Sequence, residues 1–167
     1  MATSTETAFD YPRPAAEVRA ALVDEAYLRA RLDELGGLDA ELVVVEPSGD
    51  GGGKAVLRQG VPSDKLPSFV QAVVGGDLVI ERTEVWQPTA DGATATVHAT
   101  VPRTPAVIDG TVVLTDHGEG CRARIRITAT VKVPFVGGKV EAVVIDQVRT
   151  LLVAEHAFTV GWLDEQR

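Results

Sequence analysis

The chain has 167 residues, 45% of them hydrophobic, and a formal charge of −8. That length suits one domain over residues 1–167 with its own core, and no Ser/Gly- or Pro-rich linker divides it. The acidic balance disfavours nucleic acid and anionic lipid surfaces as partners, and no apolar run approaches the roughly 20 residues that a membrane-spanning helix needs.

Residues 1–12 carry neither the basic start nor the apolar centre of a secretory signal, and Cys121, alone in the chain, makes no internal disulfide. Both features predict a cytoplasmic protein. "TETAFDY", from Thr5, alternates as a strand with one buried face, and Pro12 and Pro14 end it. Helical spacing follows over about 14–23 and 25–35. Asp24 is placed to cap the second helix, and Gly36 and Gly37 stop it. "AELVVVE" and "GKAVLRQ" flank "PSGDGGG" as a hairpin flanks its loop. Further strands are predicted at about 77–87, 94–102, 107–116 and 121–133, divided by turn signals such as "TADGA" and "DHGEG". Between the third and fourth strands, "VPSDKLPSFVQAVVGG" is too long for a tight turn and reads as a short helix or ordered flap over 62–76. The longest element is the last, a helix over 137–164.

Several motifs fail on inspection. "SGDGGGK" lacks the first Gly and the closing Ser/Thr of a phosphate-binding loop, and no helix follows it. His98, His117 and His156 are scattered, with no metal-ligand spacing and no orienting acid in sight, so neither a zinc site nor a Ser-His-Asp arrangement is expected. All three read as surface residues. Cys121 opens the apolar side of its strand as a small buried hydrophobe. The opposing row Arg122, Arg124 and Arg126 reads as a solvated face that discourages edge pairing. No cofactor and no metal is predicted.

The last helix is more informative. At about 100° per residue, Val140, Val144, Val148, Leu151, Phe158 and Trp162 fall within an arc of about 80°, Glu155 stands inside that arc, and Gln147 lies near its edge. A buried carboxylate needs a partner, water or a proton, so something polar must be near it. The facing strands present small side chains at Ala95, Ala99, Ala123 and Ala129. Space beside isolated polar groups describes a pocket, whereas close helix packing over the alanines, with Glu155 at an open rim, describes none. "LVIERTEVW" is ambiguous in phase: if Leu78, Ile80 and Trp86 face inward, so do Arg82 and Glu84, and Arg82 is then a partner for Glu155 without any ligand.

"FDYPRPAAEVRAALVDEAYLRARL" resembles the opening strand and paired helices of the START-like (SRPBCC, birch-pollen-allergen-like) superfamily, and "VKVPFVGGKVEAVVIDQVRTLLVAEHAFTVGWL" resembles its closing segment. The likeness extends over essentially the whole chain and is greatest to an actinobacterial branch described only as a domain of unknown function. It implies an α+β helix-grip fold, a curved antiparallel sheet of about seven strands wrapped around the long C-terminal helix. It also implies a mostly apolar cavity that in relatives takes lipids, sterols, polyketides or hormones. The expected partner is therefore a small hydrophobic molecule, walled by Val97, Ala99, Val101, Ile125, Ile127, Ala129, Leu151 and Phe158 and oriented by Gln147 and Glu155. Two alternatives stay open: a cavity enzyme of the polyketide cyclase/dehydratase type with Glu155 as acid or base, and a co-chaperone-like interaction module.

Overall fold

In the computed structural model, which describes residues 2–166, the alternating segments form one curved seven-stranded antiparallel sheet. The elements run β1 (Ala2–Tyr11), α1 (Ala15–Leu22), α2 (Glu25–Leu35), β2 (Glu41–Pro47), β3 (Gly53–Val61), a short 3-10 turn (Ser63–Lys65), α3 (Ser68–Val74), β4 (Leu78–Thr89), β5 (Gly92–Thr100), β6 (Ala106–His117), β7 (Gly120–Val131) and α4 (Gly137–Glu165). In space the strands lie in the order β1-β7-β6-β5-β4-β3-β2. The sheet curves around α4, as the helix-grip fold requires.

Local chemistry explains the joints. The Asp24 carboxylate accepts from Tyr27 N at 3.0 Å and so caps α2. Asp116 accepts from Ala15 N at 2.8 Å and fixes the start of α1. Where α2 ends, Gly60 N donates to Gly36 O at 3.1 Å and Leu38 N donates to Gly60 O at 3.0 Å. A Cβ on Gly60 would collide with the Leu38 carbonyl oxygen, so this close approach needs glycine.

On β7, Cys121, Ala123, Ile125, Ile127, Ala129 and Val131 are buried as the alternation predicts. Its arginine row has a different role from the one expected. The strand is interior, between β1 and β6, so it protects no edge. Instead the register sets Arg122 opposite Asp10 and Arg126 opposite Glu6, and Arg122 donates to both Asp10 oxygens at 2.7 and 3.3 Å. These are exposed cross-strand pairs, screened by solvent and individually weak.

The deepest face of α4 carries Glu141, Ile145, Glu155, Thr159 and Leu163, centred about 60° round the helix from the apolar stripe read in the sequence. Polar residues with partners made that face invisible to hydrophobic periodicity. Fully buried Glu141 accepts from Thr3 Oγ1 at 2.9 Å and from Val131 N at 2.8 Å, tying the start of α4 to the edge of the sheet. Glu141→Ala orphans the buried Val131 N–H, and urea denaturation is expected to show a loss of about 1–3 kcal/mol. An unmoved midpoint would mean that the tie contributes nothing.

The 62–76 segment is an ordered cover. Gln71 Nε2 donates to Ser63 O and Leu66 O, both at 2.8 Å, and Asp77 accepts from Ser63 N at 2.8 Å. Val70 is buried against Val131 and Val140, and Lys139 Nζ stands 4.7 Å above the Phe69 ring.

Candidate functional site: two chambers between sheet and helix

The space between sheet and helix is divided in two. The outer chamber has a volume of about 190 Å³. Its floor is Gln59 and Val61 of β3 with Leu78 and Ile80 of β4. One wall is the end of α2 at Leu35 and Gly36, the other is Val143, Gln147, Val148 and Leu151 of α4, and Lys65, Leu66 and Pro67 cover it. The lining is predominantly apolar, and Gln59 is the buried polar residue on its floor.

The inner chamber is smaller, about 60 Å³, and Glu155 borders it together with Arg31, Arg82 and Glu84. On β4 the inward face is Leu78, Ile80, Arg82, Glu84 and Trp86, which resolves the phase left open by the sequence. The register places Arg82 opposite Ala99, Glu84 opposite Val97 and Trp86 opposite Ala95. Small residues on β5 thus leave room for long side chains on β4. Arg82 grips Glu155 with two nitrogens, Nη1 to Oε2 at 2.8 Å and Nη2 to Oε1 at 3.1 Å. Its Nε lies 2.7 Å from Glu84, and Arg31 Nη2 donates to Glu84 at 2.9 Å. Arg31 Nε is 3.8 Å from Glu155. Two guanidiniums and two carboxylates therefore balance inside the protein.

Burial opposes each of these charges, and the partners overcome it. Arg31 and Arg82 are both held above their ordinary value by the two carboxylates. For Glu84, burial pushes its pKa upward, but the charges of Arg31 and Arg82, with the hydrogen bond from Arg31, bring it down to about 2. Around the cluster, Thr159 Oγ1 donates to Glu155 O at 2.7 Å, so the Tyr27 hydroxyl, 2.6 Å away, is the donor to Thr159. Burial raises the pKa of Tyr27 and of Tyr11.

The ten residues predicted to line one site are distributed over several places. Gln147 and Leu151 border the outer chamber; Val97, Ile125 and Glu155 border the inner one. Phe158 lies on the side of α4 that faces α2, with its ring 5.8 Å from Tyr27 and 6.4 Å from Trp162. Ala99, Val101, Ile127 and Ala129 are buried and border neither chamber. Sequence reasoning missed Arg31, Tyr27 and Thr159, and above all Gln59. Its signal was available, because Gln59 follows Ala55 and Leu57 on the inward side of β3.

His156 is not a free surface residue. Its Nε2 lies 2.7 Å from Asp10 O, and its ring stacks on Phe9 at 4.8 Å. His98 is exposed and contacts Asp109 at 2.7 Å, and His117 is exposed at the end of β6. Cys121 is a buried free thiol, pushed up to about 11 by burial and by nearby Asp116 and Asp10, and so stays protonated and unreactive near neutral pH. Among the described residues no helix is long and apolar enough to cross a membrane, and no three His, Cys, Asp or Glu side chains converge to hold a metal ion.

Comparison with known proteins bears on the same features. Uncharacterised proteins of Mycobacterium tuberculosis and Mycobacterium bovis are each 34% identical to this chain over 170 residues, covering 98% of either sequence. Among solved structures, norcoclaurine synthase of Thalictrum flavum, in complex with dopamine and hydroxybenzaldehyde, superposes with a TM-score of 0.66 at 10% identity over 100% of this chain and 89% of that one. Ara h 8.0201 superposes with a TM-score of 0.62 at 12% identity over 99% of each chain. A START superfamily protein of Mycobacterium smegmatis does so with a TM-score of 0.57 at 11% identity over 98% of this chain and 99% of that one. Identities this low establish the fold, which is that of the START/SRPBCC superfamily. A narrower match covers residues 6–163, almost the whole length, and the chain therefore belongs to the family described as protein of unknown function DUF2505.

Proposed function

We propose that the protein binds a small, largely apolar molecule in the outer chamber, between β3–β4 and α4 and beneath the 62–76 cover. The observation that carries this reading is the chamber itself, an apolar hollow of about 190 Å³ under an ordered flap. Size narrows the ligand. An apolar cavity of about 150 Å³ is enough for benzene, and drug-sized molecules need roughly 300–1,000 Å³. The chamber therefore suits a single ring or a short acyl chain; a sterol or a fused polyketide requires the flap to move. The single-ring compounds in the norcoclaurine synthase complex are of matching size.

In this reading Gln147 and Leu151 contact the ligand directly. Val97, Ala99, Val101, Ile125, Ile127, Ala129 and Phe158 support the packed frame around it. Glu155 acts at a distance, by holding β4 to α4. Proton transfer by Glu155 finds no support in the geometry, because Arg82 occupies both of its oxygens.

Leu151→Trp fills the chamber from its α4 wall. NMR titration with isopropylbenzene is expected to show saturable binding to the natural protein and at least a tenfold weaker association with the variant, while circular dichroism shows the fold retained. Equal uptake by the folded variant would remove the outer chamber as the site.

A further inference from the structure

The outer chamber contains one group that its apolar lining does not explain. Gln59 is only 7% exposed, it projects from the inward face of β3 into the chamber, and among the described residues its carboxamide makes no hydrogen bond. Its nearest strand companions are apolar: Leu57 and Val61 on the same face of β3, and Ile80 directly opposite on β4. Its amide atoms are not sealed in the packing: they reach the free space of the chamber with two donors and one acceptor available to whatever occupies it. The only other glutamine at the chamber, Gln147, stands at its exposed rim.

We infer that Gln59 is the polar anchor of the ligand, and that the ligand carries at its buried end an uncharged group that both donates and accepts, of the amide or undissociated carboxyl type. This rests on the outer chamber being the binding site. A carboxamide pairs with such a group through two hydrogen bonds in one plane, donating from Nε2 and accepting at Oε1. Neutrality follows from the surroundings. Lys65 is exposed at the cover, so an ionised head beside Gln59 would lose its hydration with no buried counter-charge. The remainder of the ligand, a ring or short chain, then lies along Ile80, Val148 and Leu151.

The test compares two probes of one shape, benzamide and isopropylbenzene, by NMR titration of the natural protein, Gln59→Leu and Gln59→Met. Both probes are expected to bind the natural protein. Both variants should lose benzamide affinity by about tenfold while isopropylbenzene affinity holds or rises. Equal effects on the two probes would overturn the anchor and leave the chamber standing. Failure of both probes to bind the natural protein would overturn the chamber and the anchor together. Benzoate at neutral pH is expected to bind more weakly than benzamide, and the opposite order would overturn the neutral head.

Discussion

Arg82→Met is expected to lower folding stability by about 3–5 kcal/mol, among the largest effects of any single change in this protein. Arg82 serves Glu155 with two nitrogens and Glu84 with a third, so its removal leaves two buried carboxylates to share Arg31. The loss reflects stranded charge more than the net value of the pair. Ion pairs with little exposure gain little over well-packed apolar residues, but breaking one from a single side exposes the full desolvation cost of the other. Accordingly Arg82→Met combined with Glu155→Leu should recover much of the loss, leaving Arg31 with Glu84. Urea unfolding of the single and double variants measures this, with an unchanged slope against denaturant as the sign that the unfolded state is not altered. A single variant within 1 kcal/mol of the natural protein would show that water or a neighbouring group already shares the burden. Isopropylbenzene binding should survive in the folded fraction, because Arg82 borders the inner chamber and not the outer one.

Acid should act on the same cluster. Glu84 titrates at about 2 in the folded protein against 4.5 for an ordinary glutamate. Because the folded value is the lower one, protons bind the unfolded chain first. The stabilisation is complete above about pH 4.5 and disappears as pH falls from there towards 2. A shift of that size corresponds to something on the order of 3 kcal/mol. Asp10, lowered by its hydrogen bond to Arg122, adds to the slope in the same direction, with its exposed position limiting the contribution. Stability measured by denaturant titration at successive pH values should therefore drop steeply across that acid window, and Glu84→Gln should flatten the drop. An equally steep profile in the glutamine variant would assign the acid sensitivity to other carboxylates.

The fold was readable wherever a single periodicity ruled. β7 alternates over its full length with one face buried, Asp24 stands where a helix must start, and the long closing helix was placed to within a residue at its end. What defeated the reading was polar burial. Glu141 and Thr159 lie on the deepest line of α4, and each is satisfied by partners 138 and 132 residues away in sequence, Thr3 and Tyr27. No local pattern encodes such a pairing, so the apolar stripe was taken for the centre of the buried face. The alanines of β5 were read as unfilled space for a related reason. Ala95 and Ala99 are small because Trp86 and Arg82 stand beside them, a fact fixed by cross-strand register. Arg82 as a partner for Glu155 could be proposed once the phase of β4 was considered, because a buried acid requires a base. Gln59 needed only the strand alternation already in hand.

The glycine contact between α2 and β3 has a consequence for ligand size. It locks one rim of the outer chamber by main-chain bonds on both sides of Gly60, and the backbones there are already too close to admit a side chain. The opposite rim is the cover at Lys65, Leu66 and Pro67, which leads into the short α3, whose C-terminal cap is Gly75 in the left-handed conformation, followed by Gly76. Any widening must therefore be one-sided, like a jaw with a single hinge. A bulkier guest would extend towards Phe69 and Val73, and the α2 side would keep its shape whatever is bound.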